Sequence, residues 1–545
     1  MSGPAQALGP LRVLRSTLSD PAMRRLQVAS AAWSAGEGAY VVSVLVFAFQ
    51  TGGAGAVAFV TILRTAPSIV LVPLITTLAG PRRADELLRA TLIVRIACVL
   101  LAGAAVVAAT PPLVVYVLVA VDSVVGTVLQ PIRGSLLPAI ARTPAELVTG
   151  NVGLTTGDSL GALIGPSLAA ATLVVGGTAA PFVPGLLFLA LATAISFGIH
   201  GAQPLFAARV HGRPAGEPVP ARSPWRPDAP LVAVMGCIVV QRMTRGAITV
   251  LLVAAAIDLL GMGDPGVGLL TAAIGLGGLI GATMALGLAG RRYLAPWFVV
   301  GMLAWGGGIT LVGLLAIPVA ALTTLAVAGV GKMFVDSVGF SLIQRSVPND
   351  LRTRVLGIHM GLIVAAIATG AFLASVLIDA IGIAPALILV GLLPVAAVTI
   401  SWPLVRGADR RALAHDRELR LLEGIPLFRP LQLATKEELA AEMGRQAAEP
   451  GRAVFIQGDV GDRYYIIESG AADVEIDGRV SGHLGPGEAF GEIALLRDVP
   501  RTATVRATSP LELAVLERRE FVAAVTNHRD SAALAECLVE QRLGA

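Results

Sequence analysis

The chain has 545 residues, of which 55 % are hydrophobic and only 14 % charged, and it carries 61 glycines and a formal net charge of +4. Residues 1–405 hold 37 charged side chains and a net +9, whereas residues 406–545 hold 41 and a net −5. A chain this apolar, with a lipid-adapted part before a water-adapted one, is not a single globular enzyme, a disordered chain or a nucleic-acid binder.

The first 27 residues contain Arg12, Arg15, Arg24 and Arg25 but no cleavable apolar core, so no signal peptide is expected. Twelve stretches of membrane-spanning length follow, near 28–50, 55–79, 87–109, 112–132, 149–175, 182–200, 231–257, 266–289, 294–317, 320–344, 355–379 and 383–405. With the N-terminus placed in the cytosol, the even-numbered connections face the cytosol. They carry Arg82, Arg83, Arg142, Arg209, Arg213, Arg222, Arg226, Arg291, Arg292, Arg352 and Arg354. The odd-numbered connections, such as 51–54, 110–111, 176–181, 261–265 and 380–383, contain no Lys or Arg. This asymmetry puts both termini, and hence the polar tail, in the cytosol.

The spans repeat. Val121-Asp122 to Gln130 parallels Val335-Asp336 to Gln344, and Gly38-Ala39 parallels Gly246-Ala247, so span n matches span n+6. The Pro- and Arg-rich connection 201–230 separates the halves, about 20–200 and 231–405. Two similar six-span halves are a transporter architecture, with the substrate path between them.

Charges inside the spans cost about 2.5–3.5 kcal/mol each on insertion scales and mark cavities or partners. Glu37 is in span 1, Asp122 in span 4, Arg242 and Arg245 in span 7, and Lys332 and Asp336 in span 10. Arg64, Arg95 and Asp158 fall on spans 2, 3 and 5. Repeat alignment makes Glu37 and Arg245 equivalent. The expectation is that they meet across the cavity, with Glu37 either coupling protons or tying the halves together as a static pair. Lys332 and Asp336, four apart, pair within their own helix or face the cavity.

Span 5 carries Gly153, Gly157, Gly161 and Gly165-Pro166, a flat groove for a neighbouring helix. This stretch resembles the Gly-rich, Gly-Pro-ending motif of exporters in the major facilitator superfamily, and the likeness extends over residues 20–405. It implies efflux, and it implies that spans 1, 4, 7 and 10 line the central cavity. After span 2 only Gly80, Arg82 and Arg83 remain of the superfamily's loop motif, whose acidic residue is missing.

Past Val405 the texture changes. Residues 406–423 read as a charged amphipathic linker helix with Leu413, Leu419 and Leu422 on its apolar side. Leu431 to Met443 reads as a second helix, and from Gly451 alternating residues such as Val454, Ile456, Tyr464 and Ile466 read as strands. Gly turns at short intervals point to a jelly roll that runs to about Leu516, with closing helices near 517–526 and 529–542.

One segment carries chemistry. Phe490-Gly491-Glu492-Ile493 is a glycine approach into a short helix whose first amides suit an anion. Arg501 supplies a fork for phosphate, and Glu492 an acceptor for a ribose hydroxyl. The run Phe-Gly-Glu, Ala-Leu, Pro-Arg-Thr-Ala resembles the phosphate cassette of the cyclic nucleotide-binding domain, over about residues 412–545. The resemblance implies that Glu492 takes the ribose 2′-hydroxyl and Arg501 the cyclic phosphate. It implies that amides near Gly491, Ile493 and Ala503 complete the cradle. Thr502, where other members have Ala or Ser, leaves cAMP and cGMP both open. The terminal helix offers no aromatic lid after Phe521. Either base selectivity is loose or a neighbouring protomer supplies the cap by self-association, and simple packing on the barrel is the other reading of that helix.

The expected fold class is therefore an α-helical integral membrane protein of the cell membrane. It has twelve transmembrane helices in two six-helix pseudo-repeats (residues 1–405), a linker helix (406–423) and a cytosolic β jelly roll with flanking helices (424–545). The expected function is secondary, proton-coupled efflux of a small molecule, regulated by a cyclic nucleotide. The alternative is a non-transporting receptor with the same tail. No enzyme is expected, since there is no metal cluster, nucleophile elbow or Walker loop, and the six histidines read as surface or interfacial residues.

Overall fold

A computed structural model describes residues 21–79, 84–140, 144–199, 228–287, 293–347, 349–414, 416–431, 433–526 and 529–543. Arg12, Arg15, Gly80, Arg82, Arg83, Arg142, Arg209, Arg213, Arg222, Arg226, Arg291 and Arg292 lie outside them, as do His200, His211, His415 and His528. The chain divides into two compact units, residues 1–409 and 410–545.

The first unit is all helix. The helices are α1 Pro21–Ala79, α2 Ala84–Val107, α3 Pro112–Gly126, α4 Leu129–Ile140, α5 Pro144–Gly176, α6 Phe182–Ser196, α7 Ala229–Ala254, α8 Gly263–Leu286, α9 Ala295–Leu315, α10 Pro318–Ser346, α11 Asn349–Ile381 and α12 Ile383–Ala414. Among the described residues, nine helices are long and apolar enough to cross a membrane, and α3 and α6 are shorter apolar ones.

Several boundaries differ from the sequence expectation. Expected spans 1 and 2 are two helices joined directly, without a loop, into α1 across a kink at Gly52 and Gly53, where Gly53 takes φ +60°. Only glycine enters that region without strain, so the chain turns there without a loop. Expected span 4 breaks into α3 and α4 after Gly126. Arg352 and Arg354 lie in the first turns of α11 rather than in a connection, and α12 continues past Val405 to Ala414 before the short helix α13 Asp416–Gly424.

Glycines set the helix pairs. The α5 groove takes α1: a Cβ on Gly161 would sit 2.5 Å from Ser34 Cβ, and one on Gly157 3.3 Å from Ala31 Cβ. In the second half, a Cβ on Gly246 of α7 would lie 2.0 Å from the Ile367 carbonyl of α11. These are spans 1 with 5 and 7 with 11, equivalent under the six-span repeat. Gly103 of α2 against Phe182 of α6 likewise matches Gly313 of α9 against Leu387 of α12, which are spans 3 with 6 and 9 with 12. Between halves, α5 packs on α8 and α11 on α1. Many large apolar side chains stand outward on these helices, among them Val107, Val175, Leu187, Val319 and Ile400, each more than 60 % exposed.

The second unit has two four-stranded antiparallel sheets, ordered β1-β8-β3-β6 and β2-β7-β4-β5. Their strands are β1 Gly444–Ala448, β2 Ala453–Phe455, β3 Arg463–Ser469, β4 Ala472–Ile476, β5 Arg479–Leu484, β6 Ala489–Phe490, β7 Thr504–Ala507 and β8 Leu511–Glu517. Helices α14 Leu433–Glu442, α15 Glu492–Arg497, α16 Arg518–Thr526 and α17 Arg529–Leu543 complete the unit. The first strand precedes the expected start at Gly451.

Strand β3 buries both faces. Tyr465 and Ile467 join Phe490, Val505, Leu513 and Val515 in one core, and Tyr464 and Ile466 join Phe428, Leu516 and Phe521 in the other. Strict alternation does not describe such a strand. Ile456, expected to face inward, is 57 % exposed beyond the end of β2. Phe521 stacks on Tyr464 with ring centroids 4.3 Å apart, and α17 packs on the 3₁₀ turn Pro426–Phe428.

Candidate functional site

In the tail, β6 ends at Phe490 and the chain enters α15 through Gly491, at φ +93°. A Cβ there would lie 2.7 Å from Arg501 Nη1 and 3.1 Å from the Arg463 carbonyl oxygen. Glycine is thus required twice, by conformation and by room. The first amides of α15 have no partner within the helix. Glu492, its first residue, is 2 % exposed, Ile493 and Ala503 are half-buried, and Thr502 is exposed.

Arg501 is held from several sides. Its backbone N–H donates to the Asp459 carbonyl at 2.8 Å, and its carbonyl accepts from Gly458 N–H at 2.9 Å. The guanidinium donates from Nη1 to the Gly491 carbonyl at 3.0 Å and from Nη2 to the Arg463 carbonyl at 2.8 Å. Its Cζ lies 4.1 Å from the centre of the Phe455 ring and 5.7 Å from that of Tyr465. The nearest paired carboxylate is Asp462, at 3.6 Å.

Arg501 is only 3 % exposed, and its Nε is buried without a hydrogen-bond partner. Burial lowers the guanidinium pKa from its ordinary value, against the raising influence of Tyr465, Asp462, Glu492 and Asp459. The site is therefore a desolvated cation that local carboxylates compensate incompletely, beside helix-start amides and a buried glutamate. That arrangement suits an anion with a neighbouring hydroxyl. Phe455, Tyr465, Arg463 and Asp462 were missed in the sequence. The two aromatics lie on the β-strand face opposite to the one the alternation picked out.

In the helical unit the intraspan charges sort into networks. Arg95 grips Asp122 with two bonds, Nε to Oδ1 at 2.8 Å and Nη2 to Oδ2 at 3.0 Å. Both side chains are sealed, at 1 % and 0 % exposure. Gly126, one turn after Asp122, clears space for the guanidinium: a Cβ there would stand 3.3 Å from Arg95 Cζ. Arg95 also reaches Glu37 at 3.3 Å, and Arg64 reaches its other oxygen at 3.4 Å.

The expected Glu37–Arg245 pair is thus not formed. Glu37 is taken by Arg64 and Arg95 from its own half, two residues that the choice of spans 1, 4, 7 and 10 had set aside. They carried the same signal as the others, a charge within an apolar run. Asp336, the repeat equivalent of Asp122, accepts from Arg242 at 2.7 Å and from Lys332 at 3.0 Å, so the intrahelical pair forms and gains a partner from α7. Arg133 holds Asp158 at 2.7 Å. His359 is buried with its Nδ1 unpartnered, not at the surface. No group of three or more potential metal ligands occurs among the described residues.

Residues 445–528 match the family model of the cyclic nucleotide-binding domain. The chain is 40 % identical over 119 residues to a cAMP-dependent protein kinase regulatory subunit of Eremothecium gossypii, a match covering 22 % of this chain and 25 % of the relative. It is 37 % identical over 126 residues to the subunit of the same name in Yarrowia lipolytica, covering 23 % and 33 %. Among solved structures it is similar to the regulatory domain of Toxoplasma gondii PKA crystallised with cAMP, at 35 % identity and a TM-score of 0.20, covering 20 % and 44 %. The chain thus spans a quarter to a third of these curated relatives' length. The C-terminal unit contains a cyclic nucleotide-binding domain, similar to those of the kinase regulatory subunits.

Proposed function

We propose that this chain is a twelve-span, facilitator-type transporter of the cell membrane whose activity is set by a cyclic nucleotide bound to its cytosolic tail. The observation that carries the nucleotide half is the buried, incompletely compensated Arg501 beside Gly491 and Glu492. The cyclic phosphate takes the free Nε edge of Arg501 and the α15 amides, and Glu492 accepts the ribose 2′-hydroxyl. Of the two nucleotides, cAMP is favoured, because the kinase subunits that resemble the tail are named as cAMP-dependent.

The transport half is supported by the outward apolar side chains, by the equivalent helix pairs in the two halves and by the partly accessible charges on α1, α7 and α10. Such charges are costly in lipid and mark a path. The glycine groove of α5 favours efflux, and Glu37, shared between two arginines, is the proton-coupling carboxylate of this reading. A ligand biases the inward/outward equilibrium only by its difference in affinity for the two states, so the tail must bind cAMP unequally in them.

The test is titration of the full chain with fluorescent cAMP. Saturable binding that Arg501→Ala and Glu492→Ala each abolish is the expected result, and absence of binding by the wild type refutes the nucleotide half. Proton-driven flux in vesicles should lose its pH dependence in Glu37→Gln, and an unchanged dependence rules out coupling at that residue.

A further inference from the structure

The accessible charges of the helical unit do not balance. The Arg95–Asp122 pair is sealed, neutral and removed from any solute. Partly accessible are Glu37 and Arg64 on α1, Arg242 and Arg245 on α7, and Lys332 and Asp336 on α10. That is four cations against two carboxylates. Both carboxylates are already shared: Glu37 between Arg64 and Arg95, Asp336 between Arg242 and Lys332.

Arg245 makes no ion pair among the described residues and is exposed. Three residues after Arg242, it shares the face of α7 from which that arginine reaches Asp336 of α10. Glu37 and Arg64 of α1 lie within its electrostatic range. The repeat shows how the excess arises. The position that is Glu37 in the first half is Arg245 in the second, while Asp122 and Asp336 keep the same sign. The Arg133–Asp158 pair is neutral and does not redress it.

We propose that the space between α7, α10 and α1 binds a small anionic solute, a carboxylate, sulfonate or phosphate, with Arg245 as its principal counter-charge and Arg242 and Lys332 beside it. This rests on the transport reading above. Among the described residues, Glu37 and Asp336 are each bridged by two cations and Asp158 by Arg133, so a cationic solute would meet no unpaired carboxylate at these positions. An anion would meet an unpaired guanidinium whose planar fork fits two oxygens. A cation without a carboxylate partner within an apolar span is costly, so occupancy by an anion relieves it.

The test uses the full chain in phosphatidylcholine nanodiscs, with Arg501→Ala in every sample to silence the tail's own anion site. Benzoate, benzenesulfonate and phenyl phosphate are titrated against benzylammonium and benzyl alcohol, read by the shift in thermal midpoint. The expected result is saturable stabilisation by at least one anion and none by the cation. Arg245→Gln should weaken that anion about tenfold or more, and Arg245→Lys, which keeps the charge but loses the fork, should weaken it by less than Arg245→Gln does. Binding of the cation as tight as that of any anion, an Arg245→Gln affinity within twofold of the parent, or no binding by any probe overturns the proposal. Vesicle flux separates this from the transport reading: anion binding without flux leaves the site and removes the transporter, whereas flux of cations alone does the reverse.

Discussion

Substituting Gly491→Ala tests how the tail site is built. The backbone at this position has φ +93°, where an L-residue carries a strain of roughly 1–2 kcal/mol. The added Cβ would lie 2.7 Å from Arg501 Nη1, so the guanidinium must withdraw from the Gly491 carbonyl. Breaking that buried bond adds about 1–3 kcal/mol. The tail should therefore lose about 2–5 kcal/mol of stability. Binding should fall as well, because a displaced guanidinium forfeits a charged hydrogen bond worth about 1.5–3 kcal/mol, roughly tenfold to hundredfold in affinity. The assay is titration with fluorescent cAMP, paired with thermal unfolding of the same protein. Gly482→Ala is the control, since a Cβ there meets nothing within 4 Å. In an Arg501→Ala background the Gly491→Ala change should cost only the strain, so the two substitutions must be non-additive. A Gly491→Ala protein that binds within twofold of wild type, or additive effects in the double variant, would refute the proposed role of glycine in seating Arg501.

Phe455→Leu removes the ring 4.1 Å below Arg501 Cζ; a loss of about 1 kcal/mol should appear as roughly fivefold weaker nucleotide binding in the same titration. Asp122→Asn should cost about 3 kcal/mol by leaving the sealed Arg95 only its 3.3 Å contact with Glu37, whereas the double replacement Arg95→Met, Asp122→Leu should recover most of it in detergent thermal melts. Gly161→Val should separate α5 from α1, because a Cβ would already stand 2.7 Å from the Ala35 nitrogen. Gly236→Ala, with open space around it, should leave the size-exclusion profile and the melt unchanged.

The tail site was legible because its parts are contiguous: Gly491, Glu492 and Arg501 fall within one short run whose spacing survives any uncertainty about strands. The supporting shell was not. Phe455, Tyr465 and the Arg463 carbonyl reach Arg501 from β2 and β3, and only the pairing of strands brings them there. Strand β1 was missed because Gly444–Ala448 is polar and largely exposed, so it has no apolar alternation to read. In the helical unit, apolar length showed the helices and the glycine spacing showed the α5 groove. Partnership across helices was the unreadable part. Repeat alignment made Glu37 and Arg245 equivalent, but equivalence within a repeat is not contact. The carboxylate found Arg64, on the helical segment beyond the Gly53 kink, and Arg95 on α2. The same alignment proved useful in another way, since the sign change between positions 37 and 245 is what leaves the second half with unbalanced cations.

The most direct measurement is solute flux in vesicles containing the full chain, with and without cAMP on the tail side, for wild type and Arg501→Ala. The account predicts that cAMP changes the wild-type rate several-fold in one direction and leaves Arg501→Ala at the nucleotide-free rate. Flux that is the same with and without cAMP in the wild type, at concentrations that saturate the tail, would contradict it.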